Sequence, residues 1–336
     1  MSMKLLFSFT FFLLTAYTVN CSKSSVGISP DPAIKYANSI TLEELKENLY
    51  EFASDAYEGR NTGELGQKKA AAFLKNQYKN SGVATPIGND DYFQKIPASF
   101  LPAGIKDSEN VVAFVEGTTF PEEIIVISAH YDHIGIENGE IYNGADDDAS
   151  GTVAVLEIAE AFQLAANDGK GPKRSLLFLN VTAEEKGLFG SKWYVENPLF
   201  PIENHVANLN IDMVGRVDDA HKNKPNFIYL IGADKLSSEL HEVSEEANKK
   251  FVNLDLDYTF NDENDPNRFY YRSDHYNFAK NNIPVIFYFN GVHEDYHKAT
   301  DTPEKINYDL LTKRTKLIFY TAWEIANRTE RLKVDK

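Results

Sequence analysis

The sequence predicts an α/β fold built on a largely parallel sheet with helices on both faces. Two observations carry this: short, continuously apolar runs rich in Val, Ile, Leu and Phe recur from about residue 106 onward, and stretches of helical periodicity separate them. Strands hidden on both faces need no polar alternation, so an unbroken apolar run is their signature. The chain has 336 residues, 43% hydrophobic and 25% charged, which are ordinary globular proportions with room for a large core.

The elements run in order. TLEELKENLYEFAS opens on Thr41, a capping residue with Glu44 three positions on, and its apolar residues recur at helical spacing, so a helix is expected. ELGQKKAAAFLKNQYKN predicts a second helix ending at Ser81-Gly82, then an irregular Pro/Gly/Asp-containing stretch to about Lys106. NVVAFVEG and EIIVISAH then read as strands and GTVAVLEIAEAFQLA as a helix. RSLLFLNVT, HVANLNIDM, NFIYLIG and IPVIFYFN read as further strands, and a closing helix spans about Leu310 to Ala326. No repeat, low-complexity linker or break in composition divides residues 39–336, which are expected to form one domain with an N-terminal helical cap.

Residues 5–19 form an apolar run behind Lys4, too short for a comfortable membrane span. Residues 1–20 are therefore expected to be a secretory signal peptide, with 21–38 as a flexible tether. Cys21 stands where such a segment is cut, and the arrangement resembles a bacterial lipoprotein signal, although Thr18 and Asn20 depart from its usual Leu and small residue. That resemblance implies acylation at Cys21 and an exported, lipid-anchored protein in the periplasm or at the cell surface. A single cysteine excludes an internal disulfide framework and any multi-cysteine zinc site. The net charge of −16 argues against a nucleic-acid partner.

In parallel sheets, ligands sit beyond the carboxyl ends of the strands, so the residues just past each strand decide the chemistry. After EIIVISA come His130 and, two residues on, Asp132, a pairing suited to a metal-bound imidazole whose other N–H is held by a carboxylate. Asn143-Gly144-Ala145-Asp146-Asp147-Asp148 stands immediately before a helix, and three adjacent carboxylates cannot be buried without cations. Asp146, Asp148, Ser150, Gly151 and Glu157 also fit a calcium-loop template, but IENGEIYNGA is a poor entering helix. Glu184-Glu185 and Asp212 stand after two further strands, and His297 lies in a histidine-rich loop after the last. His275 reads as a structural histidine within a helix. Two histidines and three carboxylates suit two divalent ions sharing one bridging carboxylate, with a spare glutamate as proton shuttle.

AHYDHIG, NGADDDASGTVAVLE, TAEEKGLFGS, NIDMVGR, FYYRSDHYNFA and HEDYHKATDTPEKI resemble, in the same order, the blocks of the M28 family of co-catalytic zinc peptidases. The likeness runs from about Leu42 to Ala326 and is carried most by aminopeptidases. It implies a three-layer α/β/α sandwich with a twisted, mostly parallel mixed sheet, and two zinc ions acting on peptide substrates. In that likeness Asp147 bridges the ions, His130 and Asp212 complete one set of ligands, and Glu185 and His297 complete the other. Glu184 matches the general base, Asp132 the orienter of His130, and Tyr270 a tyrosine that helps hold the oxyanion, with Tyr271 beside it as a second choice. A glutaminyl-peptide cyclotransferase, which works with one zinc, and a non-catalytic peptide-binding protein are the competing readings on the same fold.

Overall fold

In the computed structural model the described residues are 1 and 31–336; the expected signal peptide and Cys21 lie outside them. Three helices come first: α1 (Pro32–Ala37), α2 (Leu42–Phe52) and α3 (Leu65–Asn80). Thr41 caps α2 by accepting from the Glu44 amide at 3.2 Å, as the capping pattern predicts. α1 falls within the stretch expected to be a tether. Six residues are too few to show a periodicity, and α1 is ordered by packing, with Tyr36 stacked 5.6 Å from Trp323.

The strands are β1 (Phe93–Ile96), β2 (Ser108–Val115), β3 (Phe120–His130), the hairpin β4 (Gly135–Glu137) and β5 (Glu140–Tyr142), β6 (Arg174–Val181), β7 (His205–Ile211), β8 (Phe227–Ile231), β9 (Asp255–Asp257) and β10 (Val285–Phe289). Between them lie α4 (Gly151–Asn167), α5 (Phe189–Glu196), α6 (Ser238–Ala247) and α7 (His275–Ala279), and α8 (Tyr308–Asn327) closes the chain. Eight strands form one sheet in the order β1-β2-β6-β3-β7-β10-β8-β9. The four central neighbours β6, β3, β7 and β10 are parallel, whereas β1, β2 and β8 pair antiparallel. The sheet is thus mixed, with its parallel part in the middle.

Alternation along the strands divides the core into layers. Ile125, Ile127 and Ala129 of β3 pack in one cluster with α2, α3, α4 and α8, while Ile124 and Val126 enter another with Tyr194 of α5 and Phe278 of α7. β6 splits likewise, Leu176 and Phe178 to one side, Leu177, Leu179 and Val181 to the other. Both faces are apolar, which is why these strands read as unbroken hydrophobic runs. A further cluster of Phe227, Tyr229, Ile231, Phe269, Phe287 and Phe289 stands at the β8–β10 end and forms one wall of a cleft at the strand ends.

Candidate metal centre

The parallel strands place the chemistry-bearing residues. β3 ends on His130, Glu184 and Glu185 come after β6, Asp212 after β7, and His297 lies in the loop beyond β10. These four strands are adjacent in the sheet, so their carboxyl ends open into one crevice. Asp147 enters from the tight turn Ala145–Ser150 that leads into α4.

His130 Nε2 lies 3.1 Å from Asp147 Oδ1 and 3.6 Å from Asp212 Oδ1. On the other side, His297 Nε2 lies 3.0 Å from Asp147 Oδ2 and 3.4 Å from Glu185 Oε2. One carboxylate therefore presents each of its oxygens to a different donor set. Asp146, Asp147 and Asp148 are all buried, and their partners separate them. Asp146 accepts from the Gly215 amide at 2.7 Å and meets His293 at 3.1 Å, and Asp148 accepts from the Gly151 and Met213 amides at 2.9 and 3.0 Å. Among the three side chains, Asp147 is the one that meets two histidines of the cluster, His130 and His297, where Asp146 and Asp148 accept from backbone amides. Asp148 lies close to His130 and Asp212 as well, but one of its oxygens is spent on those two amides. The calcium-loop positions do not converge: Glu157 faces Asn48 at 3.1 Å, and Ser150 donates to the Asp146 carbonyl at 2.9 Å.

The charges of the cluster are lopsided. Burial would raise the Asp147 carboxyl, yet contacts with His130, His297 and His133 hold it well below the carboxylate range. Burial opposes charge on His130, but Glu184, Asp147 and Asp212 raise it well above the usual imidazole value. Burial pushes Glu184 well up, and Asp212, Glu185 and Asp274 add to this against His130. Asp147 Oδ2 and Glu185 Oε1 are buried without a hydrogen bond. Carboxylates outnumber cations in a site where unpaired charge is costly, so the residues present fit divalent metal.

Asp132 holds the site differently from the expectation. His130 Nδ1–H donates to the Asp132 backbone carbonyl at 3.0 Å, while the carboxylate stands 3.9 Å away. The carboxylate instead accepts from Thr62 Oγ1 at 2.7 Å and from the Glu184 amide at 3.1 Å. Asp132 thus orients His130 through its main chain and fixes Glu184 through its side chain.

Tyr270 is not among the residues lining this cleft, although it packs against the aromatic cluster at its wall. Its ring packs 5.5 Å from His275, and it lines a neighbouring groove with Asp234, Lys235, Asn261 and Tyr271. The tyrosine among the residues lining the cleft is Tyr296, stacked 3.8 Å from His297 and joined there by Met213, Phe269, Arg272, Phe287, Phe289 and Val292. Burial and the surrounding carboxylates, Asp147, Asp212, Glu185 and Glu184, push its phenol upward, so it keeps its proton.

Sequence reasoning also passed over His133, Thr62 and Arg60. Arg60 is fully buried and donates to the carbonyls of Tyr131, Asn143 and Gly144 at 2.9, 2.7 and 3.0 Å, tying both metal loops to the cap. His133 had a visible signal, since it stands in the same HYDH run as His130.

Residues 110–322 match Peptidase family M28, and the chain belongs to that family. Carboxypeptidase Q of Mus musculus is 31% identical over 137 residues, covering 41% of this chain and 26% of that protein. The chain thus matches about a quarter of that relative's length. The Legionella pneumophila LapA aminopeptidase structure superposes with a TM-score of 0.68 at 21% identity, covering 89% of this chain and 75% of that one. A Porphyromonas gingivalis glutaminyl cyclase structure superposes with a TM-score of 0.67 at 17% identity, covering 84% of this chain and 97% of that one.

Proposed function

We propose that the protein is a two-zinc aminopeptidase that removes residues with apolar side chains from the N-terminus of peptides. The observation that carries this is Asp147, whose two oxygens face separate donor sets. His130, Asp147 and Asp212 would hold one ion, and Asp147, Glu185 and His297 the other. Ions bound there would supply a water acidified to near neutrality and polarise a peptide carbonyl. Glu184, held by Asp132 through its backbone amide, would take a proton from the attacking water and return it to the leaving amine. The protonated Tyr296 hydroxyl, beside His297, donates toward the developing oxyanion. Phe269, Phe287, Phe289 and Met213 line the cleft, exclude water and offer an apolar seat for the side chain.

The test is digestion of a mixed peptide library, with and without chelator, read by mass spectrometry. Chelator-sensitive ladders shortened from the N-terminus are expected. Shortening from the C-terminus would make it a carboxypeptidase, loss of ammonia from N-terminal Gln without shortening would make it a cyclotransferase, and an unchanged library would leave a binding protein. The same proposal includes export with a lipid anchor on Cys21. Replacing Cys21 with Ser should release the protein from the membrane fraction, and unchanged association would reject the anchor.

A further inference from the structure

His133 is none of the five metal donors assigned so far, yet it is fully buried beside them. Its backbone is fixed by a bridge to Asn61, and its amide donates to the Arg60 carbonyl at 3.3 Å. Its ring lies against Gly144, where a Cβ would come within 2.6 Å of the ring carbons and where φ is +52°. Glycine at that position is therefore required for the ring to lie where it does. The Nδ1 atom is 2.8 Å from Glu185 Oε1 and 3.8 Å from Asp147 Oδ2.

At 2.8 Å a direct hydrogen bond to Glu185 would be expected. Neither His133 Nδ1 nor Glu185 Oε1 makes one, and Asp147 Oδ2 makes none either. One donor atom from each of His133, Asp147 and Glu185 lies within 4.8 Å of the other two, yet His133 Nδ1, Asp147 Oδ2 and Glu185 Oε1 are all buried without a hydrogen bond. Donors about 2.0–2.2 Å from a tetrahedral zinc lie about 3.3–3.6 Å apart, and the two His133 distances straddle that spacing. An imidazole and a carboxylate brought together by chance would turn to satisfy one another.

We infer that His133 is a fourth side-chain donor to the ion held by Asp147, Glu185 and His297. This rests on the two-ion reading above and makes the two centres unequal. Four protein donors close one centre as in structural zinc sites, and three leave the His130–Asp147–Asp212 centre open. The closed centre holds its ion more tightly, and the open one exchanges first.

Zinc titration of the metal-free protein against a competing chelator dye tests this, with far-ultraviolet circular dichroism to verify folding. Wild type should bind two ions in two separated steps. His133→Ala should weaken the tighter step by about tenfold or more, the scale of losing a metal-site partner, and leave the other step nearly unchanged. His133→Gln separates a ligand from a hydrogen-bond partner of Glu185, because the amide donates a hydrogen bond but is a poor zinc donor. Gln should fail to restore the tight step, and substitution of cobalt should show one imidazole fewer in the absorption spectrum of both variants. Restoration by Gln, or two unchanged steps in His133→Ala, would overturn the assignment. If wild type binds a single ion, the two-ion reading fails. Loss of that ion in His133→Ala would then still support His133 as a donor, and its retention would not.

Discussion

Glu184 and Glu185 are neighbours in the chain with different surroundings. Glu185 meets His297 and His133, whereas Glu184 lines the cleft and has its amide held by Asp132. Glu184→Gln keeps the size and removes the basicity, so kcat should fall by about 10²- to 10⁴-fold with zinc content unchanged. The change should appear in kcat far more than in KM, because the lost interaction belongs to the transition state. Retained turnover would move the base elsewhere, and lost zinc would exchange the roles of the two glutamates. The tyrosines give a second contrast: Tyr296→Phe should lower kcat by about tenfold or more, and Tyr270→Phe should leave it near wild type. Equal effects in the two variants would refute that placement of the hydroxyl. The proposed metal donors and the tyrosine differ in legibility for a physical reason. His130, Asp147, Glu184, Glu185 and Asp212 are readable because each stands at a strand end or leads into a helix, and His297 because its loop is rich in histidine. The choice of tyrosine depends on how two loops turn, including the left-handed conformation of His297 at φ 55°, which no periodicity encodes. Thr62 and Arg60 act over sequence separations of 70 and 71 residues, and nothing local marks them.

Helix α4 shows what a strongly apolar element can conceal. Its pattern predicts it, and most of it is buried, including Glu157. Burial, then Glu44 and Glu160, raise the Glu157 carboxyl from 4.5 to about 8, while Asn48 holds it by a hydrogen bond. The folded protein therefore keeps a proton that the unfolded chain has lost above pH 4.5. Stability is independent of this group below that pH, falls by on the order of 1.4 kcal/mol per pH unit as pH rises toward 8, and carries the whole penalty above it. Glu157→Gln keeps an acceptor for Asn48 and removes the titration. Denaturant midpoints should match wild type near pH 5 and exceed it near pH 9. Parallel curves across that range would show that Glu157 is not protonated in the fold. The same helix explains the failure of the calcium template: Glu157 fits the spacing, but its side chain faces α2.

At the scale of the molecule, the cluster at the strand ends concentrates negative charge that only bound cations offset. Chelation should lower the thermal midpoint, and zinc in excess should restore it, by about 4 kcal/mol at a thousandfold excess over Kd for each site. A midpoint indifferent to chelator would show that the cluster is satisfied without metal. The arrangement of the strands is legible in outline, since the apolar runs and their connections foretell a parallel centre. The edges are not, because β1, antiparallel to β2, and β9, parallel to β8, have four and three residues and carry little pattern.

Chain order and spatial order disagree across the site in a way that affects biogenesis. The donors are synthesised in the sequence His130, Asp147, Glu185, Asp212, His297, but β10, which delivers the last of them, lies between β7 and β8 in the sheet. The interior slot must stay open until the ribosome has passed Val285 in a chain of 336 residues. Before β10, a growing or truncated chain has four of the five donors proposed above, His130, Asp147, Glu185 and Asp212, and lacks His297. The topology therefore leaves the donor set proposed around Asp147 and Glu185 without its His297 until the strand that completes the sheet has been made.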